Sequence, residues 1–248
     1  MERKYINNVI LSKDVDKSSY LSDLPVVKYL NKNKHIPFNN DVTFFVGENG
    51  TGKSTLLEAI AVAYGFNAEG GTKNVAFSTN ATHSDLYKYL TISKSSFAKD
   101  GFFLRAESFY NVASNIDEMD RQLSGAPMLI NSYGGISLHK QSHGESFLSL
   151  VKNRFGGNGI YILDEPEAAL SPSKLLTLLV EIDELVKNNS QFIIATHSPI
   201  LMTYPNAQIY QFSESGVETV SYKQTEHYKL TQSFLNNPEK MLKYLLND

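Results

Sequence analysis

The sequence of 248 residues contains no cysteine, so disulfide bonds and thiolate metal sites are excluded. It also lacks a long hydrophobic run, and no segment approaches the roughly 18 apolar residues that a membrane-spanning helix requires. Residues 1–5 do not resemble the apolar stretch of a signal peptide. These absences predict a soluble, cytoplasmic protein without a membrane span.

Arginine is scarce as well. Only four of the 23 basic residues are arginines, the formal net charge is −3 and the isoelectric point is about 6.1. This balance gives no overall attraction to nucleic acid and leaves a local basic patch as the electrostatic route to one. Hydrophobic residues make up 42% of the chain, which suffices for an ordinary core, and the length fits one large domain or two small ones.

Residues 47–55 form the most informative motif. They fit the phosphate-binding loop pattern, with a candidate nucleotide-binding set of Gly47, Glu48, Asn49, Gly50, Thr51, Gly52, Lys53, Ser54 and Thr55. Glycines let the backbone wrap around a polyphosphate with its N–H groups pointing inward, and the N-terminus of the following helix attracts the same anion. In this pattern the lysine contacts the β- and γ-phosphates and the serine binds Mg²⁺. We therefore expect ATP and Mg²⁺ as ligands.

The hydrophobic pattern predicts alternating strands and helices along the chain. Expected strands are 6–11, 42–46, 86–93, 101–107, 160–163 and 192–195, followed by a hairpin of 208–212 with 217–222. Expected helices are 53–64, 145–154, 173–187 and one or two after residue 228, interrupted near Pro238. We expect 12–41 to be mostly irregular, 67–84 to be polar and mobile, and 111–122 to be a short helix or a loop. The strand, helix, strand spacing across 160–195 predicts parallel pairing.

Two acidic residues follow directly on the apolar strand 160–163. A strand that leaves the core and at once exposes Asp164 and Glu165 is costly unless a cation lies there. We expect Asp164 to hold Mg²⁺, directly or through water, and Glu165 to act as the general base on the attacking water. The alternative is a solvated strand-to-helix turn with Glu165 near the helix start.

His197 and Ser142 lie at two further element ends. His197 follows the strand 192–195, at the edge of a parallel sheet where ligands bind, and could contact the γ-phosphate there. Ser142 precedes a helix, with Glu145 three residues later, which is the pattern of a capping box. The same hydroxyl, the Gly144 amide and the helix dipole would also form an anion site, and the two roles are compatible.

Together these motifs resemble those of the ABC-class P-loop ATPases, and most of all the stand-alone AAA/ABC-type ATPases related to SMC and RecF-like heads. The similarity covers roughly residues 36–212: the phosphate loop, the signature-like 142–145, the acidic strand end and the switch-like His197. It implies an α/β fold with a mostly parallel core sheet, flanking helices and an antiparallel β subdomain. It further implies a single ATPase domain over 1–248, with an insert at about 67–140 and a C-terminal hairpin and helices at 207–248.

The resemblance also implies how such a domain works. ATPases of this class form ATP-dependent head-to-tail dimers, in which the phosphate loop of one subunit faces the signature of the other. Ser142 and Gly144 would then contact the γ-phosphate in trans. Glu107 is the candidate for the Q-loop position and so for the metal, and Phe38 is a candidate for stacking on adenine. The chain departs from the family pattern at His143, Glu145 and Ser171.

Three functions compete at this point. The first is a soluble regulatory or nucleic-acid-associated ATPase, acting in defence or repair, whose homodimer opens and closes with ATP. The second is the nucleotide-binding subunit of a membrane transporter, and the third a P-loop kinase or GTPase. Residues 31–34 lack the final aspartate of a guanine-reading motif, and Asp164, Glu165 and His197 favour hydrolysis. About 50 residues after the last core strand leave no room for a nuclease domain, so we expect any nuclease or effector to be a separate chain.

Overall fold

The computed structural model describes residues 4–73, 84–107, 109–122 and 128–246. Its central element is a six-stranded sheet with the strand order β5-β6-β7-β3-β8-β9. These strands are β3 (Val42–Gly47), β5 (Asp100–Arg105), β6 (Gly159–Asp164), β7 (Gln191–Ala195), β8 (Gln208–Ser213) and β9 (Gly216–Thr219). The first five run parallel, and β9 closes the edge as an antiparallel hairpin with β8.

A smaller antiparallel sheet lies beside it, with the order β2-β1-β4. It consists of β1 (Asn8–Leu11), β2 (His35–Pro37) and β4 (Leu90–Ser93). The structure thus confirms the predicted mostly parallel core with an antiparallel β subdomain. The predicted strand 86–93 begins too early, because residues 85–89 form a 3₁₀ turn before β4. The strands β4 and β5, which follow one another in the sequence, belong to different sheets.

The described ranges contain seven α-helices. They are α1 (Pro25–Asn33), α2 (Lys53–Tyr64), α3 (Phe109–Gln122), α4 (His143–Arg154), α5 (Pro172–Lys187), α6 (Glu226–Asn236) and α7 (Pro238–Leu246). The prediction of a mostly irregular segment over 12–41 was wrong. The apolar residues around Val26 form one buried face of α1, with Pro25 at its first turn, where a missing N–H costs nothing. Ten residues of the segment expected to be mobile, 74–83, lie outside the described residues.

Two hydrophobic clusters cover the opposite faces of the main sheet. One joins the sheet to α1, α2 and the small antiparallel sheet, and the other joins it to α3, α4 and α5. Strands covered on both faces are mostly apolar, and every residue of β3, β6 and β7 is buried. No helix within the described ranges has both the length and the apolar character needed to cross a membrane.

Parallel pairing brings the C-terminal ends of the strands to one edge of the sheet. Asp164 pairs in register with Arg105 on one side and Ala195 on the other. Ala195 pairs in turn with Phe45, two residues before the phosphate loop begins. The motifs that lie far apart in the sequence therefore meet at this edge, which is where α/β sheets bind ligands.

Candidate functional site

The phosphate loop connects β3 to α2. Gly47, its first residue, has φ +133°, and a Cβ atom at this position would lie 2.1 Å from the carbonyl oxygen of Phe212. Only glycine therefore permits β8 to approach so closely. Glu48, Asn49 and Gly50 are exposed, whereas Thr51 and Gly52 are buried, and Ser54 and Thr55 in the first turn of α2 are half-buried.

Lys53 is folded back over the loop. Its side chain is buried, and Nζ donates hydrogen bonds to the carbonyl oxygens of Gly47 at 2.7 Å and Glu48 at 2.8 Å. Burial lowers the pKa of Lys53, while the nearby carboxylates of Glu165 and Asp164 oppose that shift. A buried ammonium whose hydrogen bonds go to two carbonyl oxygens is well placed to gain from an anion that enters the loop.

A cleft of about 700 Å³ lies next to the exposed side of the loop. Its walls are residues 48–51, the turn between β8 and β9, Pro25 and Glu226. The cleft is apolar in part and opens directly onto the loop, so it offers room for the remainder of a nucleotide.

Ser54 and Asp164 provide a candidate Mg²⁺ site. The Ser54 hydroxyl donates a hydrogen bond to Asp164 Oδ1 at 3.0 Å. Burial raises the pKa of Asp164 to about 6, against the opposing effects of Arg105 and the Ser54 hydroxyl. A hydroxyl and a carboxylate at this separation are the hard oxygen donors that Mg²⁺ prefers, so the residues present fit the ion.

Arg105, at the end of β5, was not expected from the sequence. Its Nη1 lies 2.7 Å from Glu58 Oε2, and its Nε lies 3.5 Å from Asp164 Oδ2. This guanidinium partly neutralises Asp164 in the absence of metal. Arg105 lay inside the predicted strand 101–107, and only the pairing of β5 with β6 shows that it is the register partner of Asp164.

Glu107, the predicted Q-loop residue, lies two residues beyond β5. Its side chain is 85% exposed, and its carboxylate is 3.7 Å from Nη2 of Arg105. Within the described ranges no hydrogen bond or ion pair joins Glu107 to Ser54 or Asp164, and no three acidic, histidine or cysteine side chains form a metal cluster. Its role as a metal ligand stays a prediction.

Glu165 adopts a left-handed backbone conformation, with φ +49° and ψ +53°. Such a conformation is disfavoured for a residue with a Cβ atom and persists only where the surroundings impose it. Here the Glu165 N–H donates to the Ala195 carbonyl at 3.0 Å, and the carboxylate lies 3.5 Å from Nε2 of His197. The side chains of Glu165 and His197, the two predicted catalytic residues, thus lie next to each other.

Glu167 and His227 were not identified as site residues from the sequence. The half-buried Glu167 carboxylate accepts hydrogen bonds from the Thr196 hydroxyl at 2.8 Å and from the His197 backbone N–H. Burial raises its pKa, and these bonds oppose the rise. His227, in the first turn of α6, places Nε2 2.9 Å from Nδ1 of His197. No nearby motif marks His227, because it reaches the site only through the packing of the C-terminal helix.

Ser142 and Gly144 lie at the start of α4. The capping box is present: the Ser142 N–H donates to the Glu145 carboxylate at 3.0 Å. A Cβ atom on Gly144 would lie 3.0 Å from the Ala169 carbonyl and 2.8 Å from Cδ of Lys174. Lys174 Nζ lies 3.4 Å from the Ser142 hydroxyl, so a cation flanks this helix start. Within the described ranges no hydrogen bond or ion pair joins these residues to the phosphate loop of the same chain.

Comparisons with known proteins agree with this geometry. Residues 26–126 match a family model described as "AAA domain", and residues 142–203 match one described as "AAA domain, putative AbiEii toxin, Type IV TA system". The two matches indicate a P-loop ATPase domain of the AAA/ABC type. The first match contains the phosphate loop, and the second contains Ser142, Asp164, Glu165 and His197. Homologues in this class bind ATP with Mg²⁺ and hydrolyse it.

The ATPase has relatives of two kinds. It is 25% identical over 189 residues to the xylose import ATP-binding protein XylG of Thermoanaerobacter pseudethanolicus. This match covers 71% of this chain and 37% of XylG. It is 28% identical over 100 residues to structural maintenance of chromosomes protein 6 of Takifugu rubripes, covering 37% of this chain and 9% of that protein. The chain therefore spans only about a third of the import protein's length.

A solved ATP-binding cassette of an ABC transporter shares the fold of this ATPase. The TM-score is 0.52 at 15% sequence identity, and the similarity covers 97% of this chain and 98% of the cassette. This supports the predicted P-loop α/β architecture.

The prediction that Phe38 is a candidate for stacking on adenine was wrong. Phe38 is buried in the core, 2% exposed, and its ring packs 6.1 Å from that of Phe45. A ring enclosed by the core cannot stack on a nucleotide base.

Proposed function

We propose that this chain binds and hydrolyses Mg·ATP and that it does so as an ATP-dependent head-to-tail homodimer. The observation that carries the proposal is the arrangement at one sheet edge: Lys53 inside the loop, Ser54 against Asp164, and Glu165 against His197. Phosphate binding, an oxygen donor pair and a base next to an imidazole are the parts that phosphoryl transfer to water requires.

In this proposal each residue has a distinct task. Lys53 exchanges its two carbonyl partners for phosphate oxygens. Ser54 and Asp164 hold Mg²⁺, which neutralises the charge on the phosphates when bound. Glu165 orients the attacking water and accepts its proton, and His197 donates a hydrogen bond to the γ-phosphate.

The trans half of the site rests on the start of α4. Ser142, the Gly144 amide and the N-terminal dipole of α4 would face the γ-phosphate of the second subunit. The Lys174 ammonium next to Ser142 adds positive charge there, which offsets the Glu145 carboxylate that replaces the usual glutamine. A dimer whose closure depends on ATP would act as a switch on a separate effector, such as a nuclease or a nucleic-acid-bound partner.

A second candidate function is the nucleotide-binding subunit of a membrane transporter. The similarity to proteins named as import ATP-binding proteins favours it. The two functions differ in the partner: a transporter subunit would fractionate with a multi-span membrane protein. Co-expression with the products of neighbouring genes, followed by membrane fractionation, separates them.

Calorimetry with Mg·ATP tests the nucleotide site itself. Lys53→Ala should weaken binding greatly, since it removes a charge-assisted contact to phosphate. Lys28→Ala, which removes an exposed lysine from α1, serves as the matched control and should bind like the wild type. Unchanged affinity in Lys53→Ala would refute the assignment.

A further inference from the structure

The imidazole of His197 is engaged on both sides. Its Nε2 faces the Glu165 carboxylate at 3.5 Å, and its Nδ1 lies 2.9 Å from Nε2 of His227. The two rings are nearly perpendicular, with centroids 5.0 Å apart and an interplanar angle of 62°. A nitrogen-to-nitrogen distance of 2.9 Å requires one shared hydrogen, so one imidazole donates and the other accepts.

Both rings are half-buried, and burial lowers the pKa of each. With both imidazoles neutral, each carries one hydrogen, and only two arrangements satisfy the contact. In the first, His227 Nε2–H donates to a bare His197 Nδ1. In the second, His197 Nδ1–H donates to a bare His227 Nε2.

The surroundings favour the first arrangement at both ends. His227 Nδ1 is buried and has no hydrogen-bond partner within the described residues. The second arrangement would put a hydrogen on that atom and leave a buried N–H unsatisfied. It would also turn a bare His197 Nε2 towards the Glu165 carboxylate, where two lone pairs would meet. In the first arrangement His227 Nδ1 carries only an unpaired lone pair, which is tolerated better than an unpaired buried N–H, and His197 presents Nε2–H to Glu165.

The first turn of α6 holds His227 firmly in place. The fully buried Thr225 caps the helix, and its hydroxyl accepts a hydrogen bond from the Tyr228 N–H at 3.3 Å. The Glu226 N–H donates to the side-chain oxygen of Gln211 at 3.3 Å, which ties the helix start to β8. Since β8 pairs with β3, the strand that leads into the phosphate loop, His227 has a fixed relation to the site.

We propose that His227 is a positioning residue that fixes the Nε2–H tautomer of His197, so that the start of α6 forms part of the nucleotide site. The Nε2–H group of His197 would donate a hydrogen bond to a γ-phosphate oxygen. A bare nitrogen at this position would repel that oxygen. The catalytic part of this inference rests on the proposed function, while the tautomer of His197 is independent of it.

Three variants of the full chain separate the tautomer from simple packing. His227→Leu removes the donor, and His227→Gln places an amide N–H near the position of Nε2. Lys229→Ala changes an exposed residue of the same helix and is the control. ¹⁵N NMR of nucleotide-free protein should show His197 protonated at Nε2 in the wild type, in His227→Gln and in Lys229→Ala. In His227→Leu it should show loss of that single tautomer.

Turnover of Mg·ATP provides the second readout. The kcat of His227→Leu should fall about tenfold or more, as orienting partners of site residues typically contribute, with little change in KM. His227→Gln should recover most of that loss. Unaltered His197 shifts in His227→Leu, or a loss of activity that His227→Gln does not rescue, would overturn the inference. Absence of turnover in the wild type would instead overturn the proposed function, and the NMR result would still decide the tautomer.

Discussion

The Ser54 hydroxyl donates a 3.0 Å hydrogen bond to Asp164, a residue 110 positions later in the chain. One belongs to the first turn of α2 and the other to the last position of β6. The contact exists because β3 and β6 both flank β7 in a parallel sheet, so their C-terminal ends lie at the same edge. This contact places the two oxygen atoms that would bind Mg²⁺ next to each other before any metal is bound.

Ser54→Ala should therefore weaken ATP binding only when Mg²⁺ is present. The substitution removes one of the two donors but leaves the loop backbone and Lys53 intact. Calorimetry with ATP in Mg²⁺ and in EDTA measures the difference directly. Ser54→Thr keeps the hydroxyl and should retain the Mg²⁺ effect. An equal loss of affinity with and without Mg²⁺ in Ser54→Ala would argue against a metal role.

Asp164 should make the metal-free protein less stable as the pH rises. Its pKa is raised from the ordinary 3.8 to about 6 in the folded state, chiefly by burial. The folded carboxyl thus holds its proton more tightly than the unfolded one. The stabilisation is complete below about pH 4 and is lost as the pH rises through about 6, by at most about 3 kcal/mol. Asp164→Asn is neutral throughout, so its melting temperature relative to wild type should rise between pH 4 and pH 7.

Thermal melts without Mg²⁺ and nucleotide check this expectation. Asp183→Asn is a suitable control, because Asp183 pairs with Lys187 at the surface and its pKa is lowered. A melting-temperature difference between Asp164→Asn and wild type that does not vary with pH would contradict the account.

Much of this site follows from local sequence. The phosphate loop, the acidic strand end and the capping box are each set by residues within about ten positions, and the apolar runs identify the buried strands. Arg105, Glu167 and His227 could not be found in this way. Each acts through a partner that only the sheet order or the docking of α6 brings within reach. The prediction of adenine stacking by Phe38 was wrong for the same reason, since burial of an aromatic ring depends on packing between elements.

Ser142 should be sensitive to charge rather than to capping. Ser142→Asn keeps a side chain that caps helices well, whereas Ser142→Asp adds a carboxylate where a phosphate would bind across the dimer. Ser142→Asn should dimerise with ATP like the wild type, while Ser142→Asp should remain a monomer that still binds ATP. Light scattering with and without ATP distinguishes them. Normal dimerisation of Ser142→Asp would reduce the motif to a helix cap.

A mixture of two inactive proteins tests the trans arrangement more closely. Lys53→Ala lacks a working loop and Ser142→Asp lacks a working signature. A head-to-tail heterodimer would combine both defects in one site and leave the other site intact. The mixture should therefore hydrolyse ATP although neither protein does so alone. No activity above that of the separate proteins would count against a site shared between subunits.

Phosphate release from Mg·ATP by wild type and Glu165→Gln shows whether this site hydrolyses ATP with Glu165 as the general base. Glutamine has nearly the same shape but cannot accept the proton of water, and loss of a general base costs about 10²–10⁴ in rate. Glu165→Gln should bind ATP as tightly as the wild type, release phosphate at least a hundredfold more slowly and accumulate as an ATP-bound dimer. Phosphate release at the wild-type rate would contradict this role of Glu165.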